Sequence, residues 1–311
     1  MPRFLRTFAP LVLLAAASLP VQAVVFTNTN TSTGPSVFSG VADVFISGLG
    51  NCSGTLLSTG MHILTAGHCA VGAAAGNFSI GFRFDNGAGV EQIQTLGVTS
   101  VILNPFWNLS LTSLDNILAG VDLAVLTLNA VADSRITRYD IDRSAGANLT
   151  GSASTVVGFG QSGVGGNGGG SGVRRAGDNT IVNTWSNGSG VCQAGFNLLD
   201  PSFAPLCTVL PTSSPSNVGI SAFGDSGGAL FVNGKIAGVN SFVKCGPGVT
   251  NCSPSNPNAI TLGSEAGAAR VSASSLFIDT ALGIPEPSTV VTLGAGLLGL
   301  AFVGRRQRRK K

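Results

Sequence analysis

Between Val37 and Phe277 the apolar residues fall in short runs separated by Gly, Asn, Ser and Pro. Val41–Phe45, Thr55–Leu57, His62–Thr65, Leu123–Leu128, Ala229–Val232 and Lys235–Val239 are each three to six residues long. Runs of that length bounded by turn residues predict strands, and many of them in series predict a β-barrel or sandwich. No stretch has the three-to-four-residue apolar period of an amphipathic helix until Ser272–Leu282. Gly163–Gly172 reads as a flexible surface loop; no Lys-Ser/Thr follows it, so it is not a phosphate-binding loop.

The two ends break this pattern. Arg3 and Arg6 precede an apolar run through Leu11–Ala17, and Val21-Gln22-Ala23 supplies small residues for cleavage. That is the order of a secretory signal, so residues 1–23 are read as a signal peptide and the mature chain is expected to begin near Val24. At the other end Pro285-Glu286-Pro287 leads into an uncharged stretch, Thr289–Gly304, followed by Arg305, Arg306, Arg308, Arg309, Lys310 and Lys311. As a helix, that stretch would reach about 24 Å, a marginal span for a bilayer core of about 30 Å, with the basic cluster kept on the cytoplasmic side. The chain thus divides into a signal (1–23), one domain (24–283) and a sorting or anchor segment (284–311).

Composition narrows the class. An apolar fraction of 44% excludes a mostly disordered chain, and the 44 glycines show no every-third-residue period, which excludes collagen. The net charge of +3 suggests a polyanion partner until the charges are placed. The span 24–283 holds nine basic and thirteen acidic residues, a net −4, and the positive charge belongs to the ends. Nucleic acid is therefore not an expected partner. Six cysteines (Cys52, Cys69, Cys192, Cys207, Cys245, Cys252) in an exported chain suggest disulfides, most simply three local pairs. With two histidines in the whole chain, no metal site or other cofactor is expected.

Three segments carry chemistry: Leu64-Thr65-Ala66-Gly67-His68-Cys69, Val121-Asp122-Leu123-Ala124-Val125-Leu126, and Phe223-Gly224-Asp225-Ser226-Gly227-Gly228-Ala229-Leu230. Acyl transfer at neutral pH needs a nucleophile, a base titrating near working pH, and a group that orients the base. His68 lies between an apolar strand and a cysteine that would staple its turn. Ser226 lies in a glycine-flanked bend whose N–H groups can approach a substrate closely. Asp122 heads an apolar run and would be buried, which is costly unless it is paired. Asp115 is the rival acid, but it lies in polar loop sequence, and His62 reads as a strand or surface residue.

In the order His, Asp, Ser these motifs resemble the trypsin-like (chymotrypsin-fold) serine peptidases, over roughly Val41 to Ile278. The resemblance implies an all-β double six-stranded β-barrel with a short C-terminal helix, followed by the apolar tail helix. It implies Ser226 as nucleophile, His68 as general base and acid, Asp122 as orienting carboxylate, and the N–H groups of Gly224 and Ser226 as oxyanion hole. It also implies a Cys52–Cys69 bridge. The tail resembles the bacterial PEP-CTERM sorting segment. This implies signal peptidase and an exosortase-type enzyme as processing partners, membrane contact through the tail, and export to the cell envelope, surface or extracellular matrix.

Departures from the family pattern shape two further expectations. The usual Ile/Val-Val-Gly-Gly start is absent, so signal removal at Val24 is expected to supply the amine that pairs with Asp225. Ile220, six residues before Ser226, replaces the acid of trypsins; Ser241 and Phe242 fall in the substrate-backbone strand, and Val243 stands where a glycine would open the pocket. Protein or peptide substrates with small or medium apolar side chains before the scissile bond are expected. The competing reading is a non-catalytic surface protein of the same fold, for adhesion or matrix building.

Overall fold

The computed structural model describes residues 25–26, 33–34, 36–144, 147–161, 171–184, 203–210, 218–245 and 260–284. The signal segment, most of the glycine-rich stretch, Cys192, Cys252 and the apolar tail lie outside the described residues. Among the described residues no helix is long and apolar enough to cross a membrane.

The first half closes into a barrel. Its strands are β2 (Val41–Ile46), β3 (Gly50–Leu56), β4 (His62–Thr65), β5 (Phe78–Asp85), β6 (Glu91–Leu103) and β7 (Ala124–Leu128), hydrogen-bonded in the order β2-β3-β4-β7-β6-β5. β5 shows why: Phe78, Ile80, Phe82 and Phe84 point inward, while Ser79, Gly81, Arg83 and Asp85 alternate on the outer face. The second half is the expected six-stranded barrel-like sheet with one short edge strand added. It runs β10 (Asn183–Thr184), β11 (Leu206–Val209), β15 (Glu265–Arg270), β14 (Lys235–Lys244), β13 (Ala229–Val232), β8 (Ala153–Gly158), β9 (Arg175–Thr180). The extra member is the two-residue edge strand β10. A further pair joins β1 (Val25–Phe26) to β12 (Gly219–Ile220), antiparallel.

One apolar core runs through both halves, from Val41, Ile63, Phe82 and Leu126 to Phe159, Phe231, Val239 and Ile278. At the seam Phe38 stacks on Phe231 at 5.3 Å and Tyr139 tilts against the same ring at 4.7 Å. The buried Arg174 reinforces the seam with bonds to Thr33 Oγ1 and to the carbonyls of Gly34, Val37 and Arg83. Two short helices interrupt the first barrel, α1 (Gly67–Ala70) and α2 (Ser113–Leu118), and α3 (Ser275–Ala281) follows a tight turn at Ser272–Ser274. The C-terminal helix agrees with the periodicity of Ser272–Leu282. The segment around Asp115, read as loop, contains α2, because Thr112 and Asp115 form a capping box that a six-residue helix with little apolar periodicity does not announce.

Candidate active site

His68, Asp122 and Ser226 come from three places. β4 ends at Thr65 and the single turn α1 follows; the Cys52–Cys69 disulfide ties that turn to β3. Gly67 leaves room for an indole: a Cβ there would lie 2.6 Å from the Trp107 ring. Asp122 sits just before β7 with no exposure at all. Its carboxylate accepts the His68 backbone N–H at 2.8 Å, His68 Nδ1–H at 2.8 Å and the Ser241 hydroxyl. Burial pushes the Asp122 carboxyl up, but the charge and hydrogen bonds of His68 and the bonds from Ser241 hold it below the usual range. Burial likewise disfavours the His68 imidazolium, yet the Asp122 charge and hydrogen bond leave its pKa above the ordinary value. With Nδ1–H given to Asp122, the neutral ring keeps its free lone pair on Nε2. Asp115, in contrast, is exposed and engaged by Thr112, and His62 meets the Thr59 hydroxyl on β4.

The bend around Ser226 is held by its backbone. Asp225 N–H donates to Ala222 O at 3.0 Å, Gly227 N–H to Asn240 O at 2.8 Å, and Gly228 N–H to Asp225 O at 2.8 Å. The N–H groups of Gly224 and Ser226 donate to no partner among the described residues. Gly224 and Gly227 have φ of +90° and +86°, and a Cβ at Gly227 would lie 2.1 Å from Ser53 O. Ser53 pins the bend to the first barrel. Its N–H donates to Ser226 O at 2.7 Å, its hydroxyl to Gly224 O at 2.8 Å, and the same hydroxyl accepts Phe159 N–H. Sequence reasoning missed Ser53; its place beside Cys52 was the one signal available.

Asp225 is the second buried acid. It accepts N–H bonds from Gly160 and Ala222, and a Cβ on Gly158 would collide with it at 2.2 Å. Burial outweighs those bonds and the nearby Arg175 charge, and pushes its carboxyl up to about 7. Arg175, fully buried, donates to Gly160 O at 3.1 Å, so the Gly160 peptide stands between the two charges. β1 lies alongside: Val25 pairs with Ile220, two residues before Ala222.

His68, Ser226, Ser241, Phe242 and Val243 share one cleft of about 210 Å³, completed by Ser221, Ala222, Phe223 and Asn240. Among the described residues no acidic side chain lines it. Ile220 does not line it either; it is fully buried behind the wall, in a cluster with Leu210, Ala222 and Ile260 against which Val243 packs. Phe242 lies over Gly267, where a Cβ would meet the ring at 2.0 Å. Cys207 and Cys245 are disulfide-bonded, and their partners are not among the described residues. Cys52, His68 and Cys69 come within 4.8 Å of one another, but both sulfurs belong to the disulfide and leave no thiolate for a metal.

Comparison with known proteins places this geometry. The family model described as Trypsin matches residues 28–258, and the one described as PEP-CTERM protein-sorting motif matches residues 283–309. Among curated proteins none matches. Among solved structures, a mutant of human heparin binding protein is 21% identical, with a TM-score of 0.56 over 82% of this chain and 96% of that one. At that identity the likeness concerns the fold.

The raised Asp225 carboxyl has a definite sign in stability. Between the ordinary 3.8 and about 7 the folded chain binds more protons at this site than the unfolded one, so stability falls as pH rises through that window. Asp225→Asn is expected to flatten this decline. Thermal midpoints of both proteins at pH 4 and pH 7, with residues 1–23 retained, check it, and equal declines would refute the assignment.

Proposed function

Because the chain belongs to the trypsin family, we propose that it is a serine endopeptidase in which Ser226 attacks, His68 carries the proton and Asp122 orients the imidazole. The observation that carries this reading is the pairing of His68 Nδ1 with a fully buried Asp122 while His68 and Ser226 line the same cleft. His68 Nε2 takes the proton of Ser226 as Oγ adds to the substrate carbonyl. The developing oxyanion meets the two N–H groups of Gly224 and Ser226, each commonly worth about 3 kcal/mol. The imidazolium then protonates the leaving amine, and water, deprotonated by the same ring, releases the acyl group from Ser226. Asp122 keeps its charge throughout and stabilises the imidazolium.

The PEP-CTERM motif marks the chain for export to the bacterial envelope or surface. Signal peptidase and an exosortase-type enzyme are its processing partners in this reading, and the tail makes its membrane contact. Removal of residues 1–23 leaves an amine at Val24, the residue before Val25, which pairs with Ile220 two residues from Ala222, whose N–H holds Asp225. That amine supplies the cation that Asp225 lacks. The cleft favours a small or medium apolar side chain before the scissile bond. It is smaller than the ~300–1,000 Å³ of drug-sized pockets, has no acid among the described residues to meet Lys or Arg, and is narrowed by Val243 and by the Phe242 ring over Gly267.

Four measurements test these points. A fluorophosphonate probe is expected to label the processed protein but not Ser226→Ala, while Asp122→Asn loses about ten-thousand-fold in kcat. Absence of Ser226-dependent labelling favours a non-catalytic surface protein. In a peptide library Val243→Gly is expected to gain cleavage after aromatic residues, and a wild-type preference for Arg or Lys would overturn the pocket reading. N-terminal sequencing of active protein is expected to begin at Val24; a start well downstream would sink the activation step.

A further inference from the structure

The segment 102–106 and α3 line a groove of about 500 Å³. Phe106 and Leu276, 58% and 60% exposed, form its lips, with Leu103, Pro105, Phe277 and Ala281 between them. Leu109 and Leu111 are exposed on the same loop as Phe106, and Ile284 is exposed just past α3. Charge is nearly absent here. Residues 101–121 contain one charged side chain, Asp115, held in the helix cap, and residues 271–284 contain one, Asp279, paired with Arg143 at 2.6 Å. Five exposed apolar side chains, with the one charge on each segment engaged in a cap or an ion pair, make this an apolar face.

The chain itself indicates the partner. The PEP-CTERM match begins at residue 283, two residues after α3 ends. The five residues Pro285–Thr289 separate Ile284 from the apolar run that starts at Val290. Fully extended, five residues span at most about 18 Å. A bilayer that holds the run therefore lies within that distance of the exposed end of α3.

We propose that this face rests on the lipid bilayer, with Phe106 and Leu276 inserted at the headgroup–acyl boundary. The proposal rests on reading the tail as a membrane segment. Because the face is uncharged, the contact is apolar and requires no anionic lipid.

The full chain is mixed with phosphatidylcholine vesicles, plain or brominated on the acyl chains, and sedimented. Phe106→Trp and Leu276→Trp report from the two lips. Ile93→Trp reports from the far end of β6, 60% exposed and ten residues (roughly 33 Å at ~3.3 Å each) from Leu103. Emission is compared with that of the parent, which carries Trp107 and Trp185 throughout. The expected result is co-sedimentation, with about half of the added emission quenched at 106 and 276, as for rings ~5–10 Å into the boundary, and none at 93. Failure to sediment overturns both the tail reading and the proposal. Sedimentation with equal quenching at all three sites, or with none, overturns the proposal alone, and a soluble dimer that buries Leu276 does the same.

Discussion

The Asp122 carboxylate is the constraint on which the site depends. Removing a carboxylate from water costs several kcal/mol even after relaxation, and only close donors offset it. Two of its donors are on His68, at the turn after β4 in the first barrel, and the third is the Ser241 hydroxyl on β14 of the second sheet. The first barrel alone leaves Asp122 one donor short, and docking of the second sheet supplies it through Ser241. The His68 pairing holds the ring in the tautomer that leaves Nε2 available.

The Ser226 bend answers the same problem with backbone. Ser53, from the first barrel, supplies an N–H and a hydroxyl to the bend, while Asn240 of β14 supplies a carbonyl. Gly158, Gly160, Gly224 and Gly227 let these segments come closer than any Cβ would allow. The result is a bend in which the N–H groups of Asp225, Gly227 and Gly228 are bonded, while those of Gly224 and Ser226 have no partner among the described residues. The two buried acids diverge for a physical reason: Asp122 has an ionisable ring in contact, whereas Asp225 has N–H donors and a guanidinium one peptide away.

Charge is distributed with similar economy. The domain carries few charged residues, and those near the groove are engaged in a helix cap or an ion pair. Eight of the 17 basic residues lie in the two ends, and the nine between residues 24 and 283 are outnumbered there by thirteen acidic ones.

Local pattern sufficed for much of this. His62–Thr65 and Ala229–Val232 were legible as strands to the residue, because side-chain alternation and flanking turns are properties of adjacent positions. The ends of β3 and β14 were not: both strands extend well beyond their apolar runs, into Asn51, Cys52 and Ser53 and into Asn240 and Ser241, where pairing partners outweigh propensity. The candidate chemistry at His68, Asp122 and Ser226 could be read from three short motifs. The residues that hold those motifs in place could not. Ser53 lies 173 positions from Ser226, Trp107 40 from Gly67 and Arg175 50 from Asp225. Chain order by itself determined the strands, the compartment signals and the reactive groups, since each is written in neighbouring residues. Which distant serine, indole or guanidinium reaches them was decided by the docking of the two halves, because shape and burial act through space and leave no periodic trace along the chain.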